Sequence, residues 1–232
     1  MKPWLSQEFD LLFQQIYQTE AKVITVTGAN RECGTSTVCR WLAERFSGEH
    51  ASVLLVDFDL SGSGQGFEKM RWQLEGEGQT EAFITLNAYL TLLPQPADPA
   101  TLMHLRQPQQ LNKAMTKWRQ QFDYVLCDAG TVNASNWRNL PAAAIGAISD
   151  GTILCLAAAH THENALQQSI QRLEQGNVPL IGTVINDLHY PCLAQEITRV
   201  INQRIPWLPE SLRYWLVNKV NNSPLLQGEY QQ

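Results

Sequence analysis

Four short apolar runs limit what this chain can fold into more than any other feature. Residues 22–27, 52–57, 124–128 and 151–156 read as strands rich in Val, Ile, Leu and Cys, and 52–57 is nearly continuously apolar, as a strand buried on both faces requires. Segments of helical spacing alternate with them. Residues 5–18 place Leu5, Phe9, Leu12, Phe13, Ile16 and Tyr17 on one face; a helix at 36–46, one or two within 99–120 and another at 162–175 follow, the last closed by Gly176. Shorter strands are predicted at 88–93, stopped by Pro94, and at 178–186. The alternation implies an α/β fold, doubly wound, with a mostly parallel sheet and helices on both faces. Residues 60–78, rich in Gly and Ser, read as a loop. Short helices are expected at 194–203 and 209–220, then a frayed tail at 221–232. The expected organisation is one domain over 1–232, opened by an N-terminal helix within 1–20. A chain of 232 residues is ample for a packed core.

Charge excludes one broad class of function. Only 17% of residues are charged and the net charge is −5, which argues against a dedicated nucleic-acid binder with its basic face. Glutamine, at 22 residues, supplies polar surface without charge. Residues 1–10 lack the apolar run of a signal peptide. The longest apolar stretch, 141–159, is interrupted by Gly146, Asp150 and Gly151, so no direct membrane insertion is expected. The five cysteines, at 33, 39, 127, 155 and 192, form no zinc-type spacing and read as reduced thiols in a cytoplasmic protein.

Chemistry concentrates where strands end. The first strand runs into Gly28, Ala29, Asn30, Arg31, Glu32, Cys33, Gly34, Thr35, Ser36 and Thr37, and then a helix. Strand, glycine-containing loop and helix are the context of a phosphate-binding loop. Backbone N–H groups wrap the phosphates, a lysine neutralises them, and Ser or Thr holds Mg²⁺. Here Thr35 occupies the lysine position, and the upstream glycine of the strict pattern falls at Ala29, with Gly28 one residue early. Two further runs end in carboxylates: Val56-Asp57-Phe58-Asp59, and Cys127-Asp128. Open α/β sheets bind ligands at the C-terminal ends of their strands, where such acids can hold Mg²⁺ or orient water.

Taken in order, these segments resemble the MinD/ParA branch of P-loop ATPases. The resemblance is nearest to the cytoplasmic domain of bacterial capsule and exopolysaccharide tyrosine kinases. Residues 53–59 resemble the second acidic motif of those kinases, 122–132 their Walker B segment, and 182–187 a late strand whose Asn, here Asn186, contacts the adenine. The resemblance implies a P-loop NTPase fold and a phosphate loop of Gly28, Arg31, Gly34, Thr35, Ser36 and Thr37. It implies Asn186 at the base and Asp57, Asp59 and Asp128 as vestigial catalytic candidates. If nucleotide binds, Mg²⁺ would fall to Ser36, Asp57 and Asp128.

The departures are as specific as the match. Where the kinases read Pro-Gly-Glu-Gly-Lys-Ser-Thr, this chain reads Arg31-Glu32-Cys33-Gly34-Thr35-Ser36-Thr37. The deviant lysine of the ParA branch would fall at Asn30, and an arginine common after the second acidic motif is replaced by Ser61. The arginines of the kinases' ring-forming helix would fall at Leu11 and Gln14, and Tyr230 stands alone where they have a tyrosine cluster. The combination implies a degenerate, non-catalytic relative that retains no firm cofactor and binds ATP and Mg²⁺ weakly. Its expected role is as a cytoplasmic partner or regulator in capsule or exopolysaccharide synthesis, beside a membrane-bound chain-length or export protein. Two alternatives stand: an active autokinase or ATPase with an unusual loop, and a ParA/MinD-like positioning protein for a secretion, pilus or cellulose machine.

Overall fold

A computed structural model describes residues 3–60, 62–74, 78–134, 140–187, 193–204 and 207–223. Ser61, Cys192, Tyr230 and most of the expected tail lie outside the described residues. The chain divides into two compact units, Met1–Asn186 and Asp187–Gln232.

The first unit is built on one sheet. Its strands are β1 (Val23–Gly28), β2 (Val53–Asp57), β3 (Ile84–Thr85), β4 (Leu90–Leu93), β5 (Tyr124–Thr131), β6 (Gly151–Ala157) and β7 (Leu180–Asn186). Their order is β3-β4-β2-β5-β1-β6-β7, and every pairing is parallel except β3 with β4. The helices are α1 (Gln7–Gln18), α2 (Thr35–Gly48), α3 (Gln79–Ala82), α4 (Pro99–Leu105), α5 (Pro108–Gln121), α6 (Ala142–Gly146) and α7 (Glu163–Gln175). The second unit contains α8 (Leu193–Arg204) and α9 (Glu210–Asn221), joined by a hydrogen bond from Thr198 Oγ1 to Asn221 Oδ1. No helix among the described residues is long and apolar enough to cross a membrane.

Local chemistry explains most of these boundaries. Ser6 caps α1 by accepting a hydrogen bond from the Phe9 N–H. Pro99 and Pro108 each stand in the first turn of a helix, where a missing N–H costs nothing, and this splits residues 99–120 into α4 and α5. Two details differ from expectation. β5 continues three residues past Asp128, because Gly130 bends it at φ +63° without breaking the pairing to β1. Gly176 closes α7 in an ordinary right-handed conformation, φ −82°, and the left-handed turn falls to Asn177 at φ +50°.

Alternation along each strand divides the core into two clusters, one per face. Leu54, Val56, Val125, Cys127 and Leu154 join α5 and Trp118 on one side. Ile24, Val26, Leu55, Leu126 and Ile153 meet α1 and α2 on the other. Phe46 anchors the second cluster. It is 1% exposed, with ring centroids 4.0 Å from Tyr124 and 4.8 Å from Phe13. Phe46→Ala should therefore cost about 3–5 kcal/mol. In a unit of this size that lowers the melting temperature by roughly 6–20 °C. Calorimetric melting of the two proteins checks this, and a loss below about 1 kcal/mol would mean that the α1–α2 face is not closely packed.

The order of strands also locates the site. The chain leaves β1 toward β2 on one side of the sheet and leaves β5 toward β6 on the other, so the direction of winding reverses between β1 and β5. A crevice opens at such a reversal, beyond the C-terminal strand ends.

Candidate functional site

The loop from β1 to α2 occupies that crevice. Gly34 is the N-cap of α2 with φ +79°, and no side chain caps the helix. The first N–H groups of α2 thus lack intrahelical partners and are oriented for an anion. The glycines are forced by close approach: a Cβ on Gly28 would lie 2.6 Å from Thr35 Oγ1, and one on Gly34 2.5 Å from Asn186 Nδ2. The loop borders a cleft of about 450 Å³, shared with Asp59, Gly64, Gly130 and Thr131.

Three residues depart from a working phosphate loop in a physically specific way. Thr35 is buried, with its hydroxyl against the Gly28 backbone, so no cation enters the cleft from the helix start. Glu32 has φ +63°, a left-handed backbone that costs a non-glycine residue about 1–2 kcal/mol. The backbone here still has the shape that suits the kinases' glycine, and it presents an exposed carboxylate on the cleft rim. Asn30 braces the loop: its Oδ1 accepts from Thr161 Oγ1 at 2.7 Å and from Cys33 Sγ at 3.3 Å. Arg31, Ser36 and Thr37 line the cleft, with Arg31 and Thr37 exposed.

The acids meet because of strand register. Asp57 and Asp128 are direct partners in the parallel β2–β5 ladder, so their side chains leave the same face, the one covered by α2. Both residues are fully buried. Asp57 accepts from the N–H groups of Asp59 (3.1 Å) and Gln65 (2.8 Å) and from Gln95 Nε2 (3.3 Å). Asp128 accepts from Gln65 Nε2 at 2.7 Å, from the Ser36 hydroxyl and from the Gly130 N–H. Burial, then the charge of Asp128, pushes Asp57 up to about 7. Burial raises Asp128 to about 6 against the opposing bonds from Ser36 and Gln65. Burial is the main cause for both, and the donors to the pair among the described residues are uncharged, so their bonds offset it only in part. Asp59 is half-buried and packs against glycines: a Cβ on Gly130 would lie 2.5 Å from its Oδ1, and one on Gly62 2.7 Å from its Oδ2.

The predicted residues therefore gather at one place. Residues 31–37 and Asp59 line the cleft, and Asp57 and Asp128 are buried next to it, with Asp128 bonded to Ser36 of its lining. Asn186, at the end of β7, donates from Nδ2 to the Cys33 carbonyl at 3.2 Å. Sequence reasoning missed Gln65 and Gln95, whose signal was faint: polar side chains shortly after strand-end acids, Gln65 inside the run Gly62-Ser63-Gly64-Gln65-Gly66. Cys33, Cys39, Cys127 and Cys155 are buried and free, and burial raises the thiols of Cys39, Cys127 and Cys155.

The hard oxygens of Ser36, Asp57 and Asp128 suit Mg²⁺. A cation held there would neutralise charge on phosphate oxygens. Among the described residues no group of three or more His, Cys, Asp or Glu side chains is arranged to hold a metal. A cation would thus depend on two acids, the Ser36 hydroxyl and oxygens from a ligand. The fit to a triphosphate is poorer: the loop supplies N–H donors but places a carboxylate, and no lysine, beside them.

No protein-family model matches the chain. In sequence it is 27% identical over 191 residues to the tyrosine-protein kinase CpsD of Streptococcus pneumoniae, across 75% of this chain and 79% of that protein. In structure it superposes on the kinase domain of the Escherichia coli tyrosine kinase ETK with a TM-score of 0.61 at 20% identity, covering 77% of this chain and 72% of that one. The chimerical protein CapA2B2 gives 0.65 at 14% identity, covering 79% and 86%. At these identities the superpositions carry the fold, and the alignment to CpsD carries the kinship. With a phosphate-type loop at the winding reversal of a doubly wound sheet, the superpositions give this chain the fold of those kinase domains, and the alignment makes it similar in sequence to a bacterial tyrosine-protein kinase.

Proposed function

We propose that this protein is a degenerate, non-catalytic relative of the polysaccharide-biosynthesis tyrosine kinases. It acts as a cytoplasmic partner or regulator of capsule or exopolysaccharide synthesis, recruited by a membrane-bound chain-length or export protein. One observation carries the loss of catalysis: the lysine position is filled by a buried Thr35, three residues after a left-handed Glu32 whose carboxylate stands on the cleft rim. Phosphoryl transfer depends on positioning of the reactants and on positive charge placed around the migrating group. At the helix start this crevice supplies hydroxyls, amides and the Glu32 carboxylate instead, and its one cation among the described lining residues, Arg31, lies exposed on the loop before it. The kinship to CpsD supports the polysaccharide setting.

Calorimetric titration with Mg-ATP tests the reading. Weak binding is expected, with hydrolysis at background and no phosphate on tyrosine after incubation of the pure protein with ATP. Micromolar affinity, or a phosphorylated Tyr230, would favour an active autokinase instead. Recruitment is tested by sedimentation with membranes. The chain should pellet when the chain-length protein is co-expressed and stay in the supernatant without it.

A further inference from the structure

The oxygens suited to a cation are not idle in this chain. Gln65 Nε2 donates at once to Asp128 Oδ2 at 2.7 Å and to the Ser36 carbonyl at 3.0 Å, and the Gln65 N–H donates to Asp57 Oδ2 at 2.8 Å. One residue thus satisfies both buried acids and ties them to the first turn of α2. Its loop is built to come this close. Gly64 has φ +50°, and a Cβ there would collide with the carboxylate of Asp57. Gly62 leaves equally little room against Asp59, and a Gly66 N–H to Ser63 O bond of 2.8 Å closes the turn. Gln95, 2% exposed, holds Asp57 from the opposite side and reaches the Asp59 carbonyl at 2.7 Å.

We infer that the loop 62–66 is an internal plug, with the Gln65 amide seated on the Asp128 carboxylate that a divalent cation would take together with the Ser36 hydroxyl. The amide and the cation exclude one another. An N–H donor needs the same lone pairs of Asp128 that a metal would take, and the neutral amide leaves the charge of the pair uncompensated. The crevice therefore responds to divalent cations only when residues 62–66 move away. Movement of that loop couples the crevice to the surface on which Gly62, Ser63 and Gly66 are exposed. This inference rests on reading Ser36 and Asp128 as the cation position. It makes no use of nucleotide, so its failure leaves the proposed weakness toward ATP standing.

The test is a titration of the full chain with MgCl₂ alone, followed by calorimetry and by the melting temperature. Gln65→Ala should bind Mg²⁺ at least tenfold more tightly than the unmodified protein, the factor set by losing one competing hydrogen bond to a charged group. Adding Asp128→Asn to that variant should abolish the gain. Equal affinity in Gln65→Ala and the unmodified chain, absence of binding in both, or a gain that survives Asp128→Asn overturns the inference. Should Gln65→Ala fail to fold, Gln65→Glu decides. It keeps the side-chain length, loses the donor and adds a third carboxylate, so it should be destabilised without metal and recover its melting temperature with MgCl₂. No recovery would count against the plug.

Discussion

Replacing Thr35 by Lys together with Glu32 by Gly should raise the affinity for ATP by about 100-fold. A lysine there forms a charge-assisted hydrogen bond to phosphate, about 1.5–3 kcal/mol. Removing Glu32 takes away a like charge, worth about 1 kcal/mol at 4 Å in water and more as solvent is excluded. Each 1.4 kcal/mol is tenfold in a binding constant. The backbone also favours the exchange. Residue 32 has φ +63°, which glycine adopts without strain, so the Glu32→Gly change offsets part of the cost of placing a lysine at the buried position 35. Thr35→Lys alone should gain little, because the carboxylate of Glu32 stays on the cleft rim and offers the new ammonium an alternative partner. Isothermal titration of the parent, Thr35→Lys, Glu32→Gly and the double variant, with ATP alone and with Mg-ATP, checks both statements. A double variant no better than the parent would show that residues 28–37 have lost the geometry of a phosphate loop as well as its charge.

In metal-free buffer the protein should lose stability as pH rises from 5 to 8. The ordinary value for both acids is 3.8, and in the folded chain Asp57 and Asp128 titrate near 7 and 6. Between those limits the folded state binds more protons than the unfolded one. Stability is therefore greatest at low pH and declines as pH climbs through the folded values. A tenfold difference in proton affinity between the folded and unfolded chain corresponds to about 1.36 kcal/mol. The two acids together account for about 2–4 kcal/mol over this window. That is a fall of roughly 5–15 °C in melting temperature. Below pH 5 a different group enters. Asp123, held low by the N–H and hydroxyl of Ser52, loses those bonds' benefit when protonated, so the profile turns over on the acid side. Asp57→Asn should flatten the decline between pH 5 and 8. A parent profile that is flat or rises over that range would mean that the buried pair is already neutralised.

The course of the chain is readable without its tertiary structure. Buried parallel strands announce themselves because both faces are covered, which leaves apolar residues on consecutive positions in β1, β2, β5 and β6 instead of strict alternation. The loop 28–37 is readable because it is contiguous, and a contiguous motif keeps its spacing whatever the tertiary structure does. Small elements are harder. β3 has two residues and owes its existence to pairing with β4 rather than to its own pattern. Residue 176 has the look of the left-handed cap because it is glycine, yet the turn falls on Asn177. Composition names the residue best able to bend, while packing chooses the one that does.

What the crevice does with its residues was settled only by long-range contacts. Asp57 and Asp128 lie 71 positions apart in the chain, and nothing local says that they are opposite one another. The register of β2 against β5 makes them a pair, and α2 above them makes the pair dry. Gln65 and Gln95 look like surface residues in a chain with 22 glutamines. They become ligands of that pair because two glycines let one loop approach and the end of β4 delivers the other. Periodicity reports which face of an element is buried, and it is blind to which buried polar group answers another. Hydrogen bonds across the fold are local in space and remote in sequence, so the chemistry of this crevice had to wait for the tertiary structure.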